Sequence, residues 1–218
     1  MKKYLLISVS TLFVLIVLYI AVSVTYPSKH NEIKVVCLGD SLTNGYGSTG
    51  DKTYPYYLNQ LMPDTRVLNK GINGQTTDQI ESRFYDDVLL NHPNYVIIIA
   101  GTNDFFLNVP VNIIEQHLNE VYSLALENGI TPVLCTIPPS EGFNKPDQVL
   151  ELNNWIKNKA MQKHLPFVDL YHVLDDPSNS GTLNPEYDSG DGVHPNNEGY
   201  KSMANEIYKR MNLYKNDS

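Results

Sequence analysis

Residues 33–43 read IKVVCLGDSLT. The first six, Ile33 to Leu38, are an apolar run broken only by Lys34, the pattern of a strand buried on both faces. Gly39-Asp40 closes the run and Ser41 follows at once. The same order recurs at Tyr95–Ala100 (YVIIIA), the most consistently apolar strand of the chain, which runs into Gly101-Thr102-Asn103-Asp104. Arg66–Asn69, Thr131–Ile137 and Leu165–Leu170 are predicted as the remaining strands. Helical stretches separate them: 76–90 behind a Thr/Asp cap, Val111–Asn128, Val149–His164 and Asn196–Leu213. In Val111–Asn128 one face carries Ile114, Leu118, Val121 and Ala125, and Gly129 stands at the C-cap. Strands alternating with helices predict an α/β fold, with a parallel sheet covered on both sides and right-handed crossovers.

The whole chain has 218 residues, 42% hydrophobic and 18% charged, which fits one globular domain with a full core. Sixteen basic and 24 acidic residues give a net charge of −8. Two of the basic ones, Lys2 and Lys3, lie in the first 24 residues, which hold no acid, so the remainder carries −10. That balance excludes a nucleic-acid binder, which needs clustered Lys and Arg. Two cysteines, Cys37 and Cys135, are too few for a disulfide scaffold or a Cys-rich zinc site.

Tyr4 to Val24 is 21 residues without a charge. At ~1.5 Å per residue a helix of that length spans ~30 Å, the thickness of a bilayer core. Residues 1–24 are therefore expected to be a transmembrane signal-anchor, or a signal peptide cleaved near Ala21-Val22-Ser23. Residues 25–31 are a linker and 32–218 the domain, expected to be monomeric. The expected location is the cell membrane, single-pass with an extracytoplasmic domain; secretion after cleavage is the alternative.

Function in a parallel α/β sheet collects at the carboxyl ends of the strands. The unusual residues fall there: Gly39-Asp40-Ser41-Leu42-Thr43 after strand one, Gly71-Ile72-Asn73-Gly74 after strand two, Gly101-Thr102-Asn103-Asp104 after strand three, and Asp191-Gly192-Val193-His194-Pro195 before the last helix. Three chemistries compete for this crevice. Gly45-Tyr46-Gly47-Ser48-Thr49-Gly50 spells a dinucleotide fingerprint. It begins too far beyond Gly39, and strand two ends in Asn69-Lys70 with no acid to hold a ribose. A metal site is weak, because Asp191 and His194 have no second closely spaced His or Cys pair beside them. Nucleophilic catalysis fits best. A serine hydroxyl needs an imidazole to take its proton, and the imidazole needs a carboxylate to orient it. Ser41, His194 and Asp191 supply these groups. The Ser41 and Gly71 backbone N–H groups and the Asn103 side-chain amide are candidate oxyanion donors.

These blocks, in this order, closely resemble the SGNH-hydrolase superfamily, the GDSL lipase/esterase family. The resemblance runs from about Ile33 to about Arg210 and includes Gly71 and Gly74 within GINGQTT. It implies a three-layer α/β/α, flavodoxin-like fold with five parallel strands in order 2-1-3-4-5. It also implies Ser41 as nucleophile, His194 as base, Asp191 as orienting acid, an oxyanion hole of Ser41, Gly71 and Asn103, and no required metal or cofactor. The implied activity is hydrolysis of carboxylic esters, with small esters as partners. Lysophospholipids and other short or single-chain acyl esters lead, with acetylated cell-envelope glycans as the alternative. A non-catalytic envelope-binding module on the same fold is a reading of another class.

Phe105, Phe106, Pro139 and Phe143, with neighbours Leu107 and Pro138, are candidates to line an acyl pocket or to pack over the sheet edge. In the implied strand order Cys37 and Cys135 stand two strand spacings apart, ~9–10 Å, beyond the ~7 Å reach of a disulfide. Two free, buried thiols are predicted.

Overall fold

The computed structural model describes residues 32–142 and 146–217. Five parallel strands form one sheet in the order β2-β1-β3-β4-β5: β1 (Ile33–Gly39), β2 (Thr65–Gly71), β3 (Tyr95–Ile99), β4 (Thr131–Cys135) and β5 (Phe167–Val168). The register sets Gly39 beside Gly71 on one side and Ile99 on the other, so the chain leaves β1, β2 and β3 at one level. The expected N-terminal span and linker, residues 1–31, lie outside the described residues. Among the described residues no helix is long and apolar enough to cross a membrane.

The strands read as unbroken apolar runs because both faces are covered. Val36, Leu38, Val96, Ile98 and Leu134 face one layer of helices, and Val35, Cys37, Ile97, Ile99, Val133 and Cys135 face the other. The helices, in chain order, are α1 (Ser41–Asn44), α2 (Tyr54–Leu61), α3 (Thr77–Ser82), α4 (Phe84–Asp87), α5 (Thr102–Phe106), α6 (Val111–Glu127), α7 (Pro146–Lys163), α8 (Leu170–Leu174) and α9 (Asn197–Asp217). Ile80 and Phe84 of α3 and α4, Ile114 and Leu118 of α6, and Leu152 and Ile156 of α7 bury the first face. Tyr54 and Leu58 of α2, Leu170 and Leu174 of α8, and Tyr200, Met203 and Ile207 of α9 bury the second. Cys37 and Cys135 are free and buried on strands separated by β3, as predicted, and burial pushes the Cys37 thiol up to about 12.

Two elements depart from the sequence reading. The helix expected over 76–90 is three short pieces, α3, α4 and a 3-10 turn at Leu89–Asn91. The chain leaves helical geometry at Arg83 (φ −104°, ψ 7°), which turns Phe84 into the core. The break also aims the Arg83 guanidinium at the strand ends. It donates to Gly39 O (2.8 Å), Lys70 O (2.9 Å) and Gln75 Oε1 (2.5 Å), and pairs with Asp87 (2.6 Å). The strand expected over 165–170 shrinks to two residues. Asp169 accepts the His172 N–H and starts α8 there, a local side-chain cap that overrides the apolar run.

Candidate active site

The carboxyl end of β1 delivers Ser41. Asp40, wholly buried, accepts the Leu42 N–H (2.9 Å) and caps α1, so Ser41 opens a short helix at the top of the sheet. Ser41 is 6% exposed. Burial pushes the Asp40 carboxyl up to about 7; the Leu42 N–H opposes the rise and the nearby Asp104 adds to it.

The imidazole comes from 153 residues away. In the 184–196 segment, Asn196 Nδ2 donates to Glu186 O and Asp188 O, Ser189 N–H donates to His194 O, and Asp188 bridges to Pro195. Gly192 O accepts the Glu141 N–H, which ties the segment to the loop after β4. Asp191 Oδ1 accepts the N–H groups of Val193 (2.9 Å) and His194 (2.8 Å), while Oδ2 lies 2.7 Å from His194 Nδ1. His194 Nε2 lies 2.9 Å from Ser41 Oγ. Partial burial works against ionising Asp191, yet the His194 backbone and side-chain bonds and the Val193 N–H outweigh it and hold the carboxyl below the usual range. An ionised Asp191 requires the proton on Nδ1, which leaves Nε2 to accept the Ser41 hydroxyl. Tyr46, after α1, sets its ring 4.6 Å from the imidazole and covers it. The structure thus brings Ser41, Asp191 and His194 into one hydrogen-bonded chain.

The oxyanion donors divide differently. Asn103 lies in the first turn of α5 and donates from Nδ2 to Gln75 O (2.9 Å), with Asp40 Oδ2 at 3.4 Å. Beside it, Asp104 accepts the Thr77 N–H (3.0 Å) and hydroxyl (2.7 Å), locking α5 to the start of α3. Gly71 is not placed as a donor. Its N–H is taken by Asn69 Oδ1 (2.9 Å). Its lack of a side chain serves packing instead, since a Cβ there would sit 2.0 Å from Asn44 N, in the backbone of α1. Three residues on, Gly74 has φ +78° and space for a Cβ on every side, and its N–H finds no partner among the described residues. Gln75, which holds Asn103, is its neighbour. The GINGQTT stretch contained this signal, but backbone direction decides which glycine offers its N–H.

The candidate acyl-pocket residues within the described part of the chain are engaged in packing of different kinds. Phe105 turns inward and packs against the helix-covered core. Pro139 is buried in the loop after β4. Phe106, 40% exposed, lies against Gly142. Phe143 lies outside the described residues. Arg83 escaped the sequence reading, and Gln75, Tyr46 and Asp104 entered it only as members of motifs without roles of their own, because the partners that give them meaning are brought near only by folding. Among the described residues no cluster of three or more His, Cys, Asp or Glu side chains is placed to hold a metal.

Residues 37–202 match the GDSL-like Lipase/Acylhydrolase family model. The chain is similar to an arylesterase of Vibrio mimicus, 27% identical over 82% of this chain and 88% of that protein. It is also similar to thioesterase 1/protease 1/lysophospholipase L1 of Escherichia coli (25%, over 81% and 82%) and to an acetylxylan esterase of Geobacillus stearothermophilus (24%, over 82% and 93%). A solved structure from Desulfitobacterium hafniense DCB-2, described as a lipolytic protein of the G-D-S-L family, superposes with a TM-score of 0.74 at 32% identity, over 81% of this chain and 98% of that one.

Proposed function

This chain belongs to the GDSL-like lipase/acylhydrolase family, and we propose that it hydrolyses small carboxylic esters through an acyl-Ser41 intermediate. The observation that carries the reading is the continuous chain from Ser41 Oγ through His194 to Asp191, at 2.9 and 2.7 Å. In the first half-reaction Ser41 Oγ attacks the acyl carbon as His194 Nε2 takes the hydroxyl proton, with Asp191 stabilising the imidazolium. The carbonyl oxygen becomes an oxyanion held by the Ser41 and Gly74 N–H groups and the Asn103 amide. His194 then protonates the departing alkoxide, and the alcohol leaves. Water enters, gives its proton to His194 and attacks the acyl-enzyme. The second tetrahedral intermediate collapses to free acid, and the proton returns to Ser41 Oγ.

A short acyl group fits best. Phe105 and Pro139, candidates for a chain-length pocket or for packing over the sheet edge, are engaged in packing, and Phe106 rests on Gly142, which supports the short-chain reading. The arylesterase and acetylxylan esterase relatives support small esters and acetylated sugars ahead of long-chain lipids. Ser41→Ala should abolish turnover of p-nitrophenyl acetate and labelling by a fluorophosphonate. Wild-type protein that binds ester yet neither turns over nor labels would be a binding module, and the proposal would fall.

A further inference from the structure

Along the free edge of β2 runs a groove of about 410 Å³, within the ~300–1,000 Å³ range of small-ligand sites. It is lined by Thr53, Tyr56, Asn59, Gln60, Val67 and Asn69, among others, and no charged side chain lines it. Its upper wall adjoins the C-terminal end of α1, the helix that begins with Ser41. Thr53 packs where a side chain on Gly45 would lie, and the Gly45 N–H donates to Ser41 O (2.8 Å). Asn69 stands two residues before Gly71, whose Cα rests on α1.

The hydrogen bonding within the groove is directional. Asn59 Oδ1 accepts the Val67 N–H (3.4 Å) and Asn69 Oδ1 accepts the Gly71 N–H (2.9 Å). Each amide has its oxygen turned to the strand, and among the described residues neither Nδ2 has a hydrogen-bond partner. Thr53 Oγ1 accepts the Tyr56 N–H (3.2 Å), which leaves its hydroxyl proton to donate. Between these donors stands Tyr56, 42% exposed, with an apolar ring and a hydroxyl tip. The same bonds close the strand edge to a peptide. The N–H groups of Thr65, Val67 and Gly71 go to Met62 O, Asn59 and Asn69, so a pairing strand would find three of the edge donors already used.

An uncharged trough of fixed N–H donors around one exposed aromatic ring matches a neutral ligand rich in oxygen acceptors, with C–H faces to lay on the ring. We propose that this groove is a saccharide subsite, holding the glycan part of an acylated carbohydrate whose ester lies at Ser41. This rests on the esterase reading above and specifies its substrate class.

The test compares wild type, Tyr56→Ala and the double variant Asn59→Ala/Gln60→Ala on p-nitrophenyl acetate and on acetylated xylotetraose, following nitrophenol and acetate release. The expected result is a KM for the oligosaccharide raised ~5–10-fold, the scale of one or two net hydrogen bonds, with kcat nearly constant. KM for p-nitrophenyl acetate, which has no sugar to place in the groove, should move less than twofold. Equal losses on both substrates, or an unchanged oligosaccharide KM, would overturn the subsite. So would a wild-type enzyme active on p-nitrophenyl acetate but inert on the oligosaccharide, while leaving ester hydrolysis intact. Only turnover that survives Ser41→Ala strikes at the esterase reading itself.

Discussion

Gly71→Ala isolates what the end of β2 does for the nucleophile. The new Cβ would lie 2.0 Å from Asn44 N and 2.6 Å from both Asn44 Cα and Thr43 C. All three are backbone atoms of the helix that begins with Ser41, and no flexible side chain stands there to yield. Ordinary contacts of ~3.5 Å require β2 and α1 to part by about 1–1.5 Å. Overpacking of this kind costs ~1–3 kcal/mol, which in a domain of this size lowers Tm by ~2–12 °C. A displacement of about 1 Å at a reacting group costs ~10² in rate. The expected outcome is therefore a folded variant with kcat on p-nitrophenyl acetate, and fluorophosphonate labelling rate, down about a hundredfold. The loss comes through the position of Ser41, because the Gly71 N–H is already engaged by Asn69. Gly129→Ala, between α6 and the start of β4 and so at the opposite end of the sheet from Ser41, is the companion. Its Cβ meets nothing within 4 Å, so only left-handed strain of ~1–2 kcal/mol applies, with activity close to wild type. Wild-type Tm and kcat in Gly71→Ala, or a greater rate loss in Gly129→Ala, would refute the packing argument.

Two further expectations follow from the site. Asn103→Ala removes the proposed oxyanion donor together with its bond to Gln75 O, and should lower kcat by ~10²–10³ with KM little changed; steady-state kinetics showing a KM effect alone would count against the donor role. Asp40→Asn tests the buried carboxyl beneath Ser41. Its folded pKa of about 7 stands above the ~3.9 of an unfolded Asp, so its contribution to stability is complete below about pH 4 and is lost as pH rises through 7. Asn cannot ionise and keeps the capping oxygen, so the Tm of the variant should gain on wild type between pH 4 and 8; a constant offset in melts across that range would contradict it.

Much of the architecture was legible because it is written locally. Ile33–Leu38 and Tyr95–Ala100 are apolar at every core-facing position, which only a strand covered on both faces requires. The departures have local causes that a periodicity cannot weigh. Arg83 sits in a stretch of helical pattern, yet carbonyls of β1 and β2 and a side chain at residue 75 draw its guanidinium and the helix breaks there. Phe105 and Phe106 are neighbours of one residue type, and the turn of α5 sends one into the core and leaves the other at the surface.

The sequence by itself determined the strand–helix alternation, the placement of Ser41 and Asn103 just after apolar strands and of His194 just before the last helix, and the separation of the two cysteines. These depend on residue types at short spacing, where propensity and burial act. Tertiary structure alone decided that Ser41 and His194 meet across 153 residues at 2.9 Å. It also decided that Gly71 packs while the Gly74 N–H has no partner among the described residues, and that two asparagine oxygens cover N–H groups of a strand edge beside a groove. Each is a question of which partner lies within about 3 Å of a polar atom. Chain order cannot state that distance; it exists only once the sheet has closed.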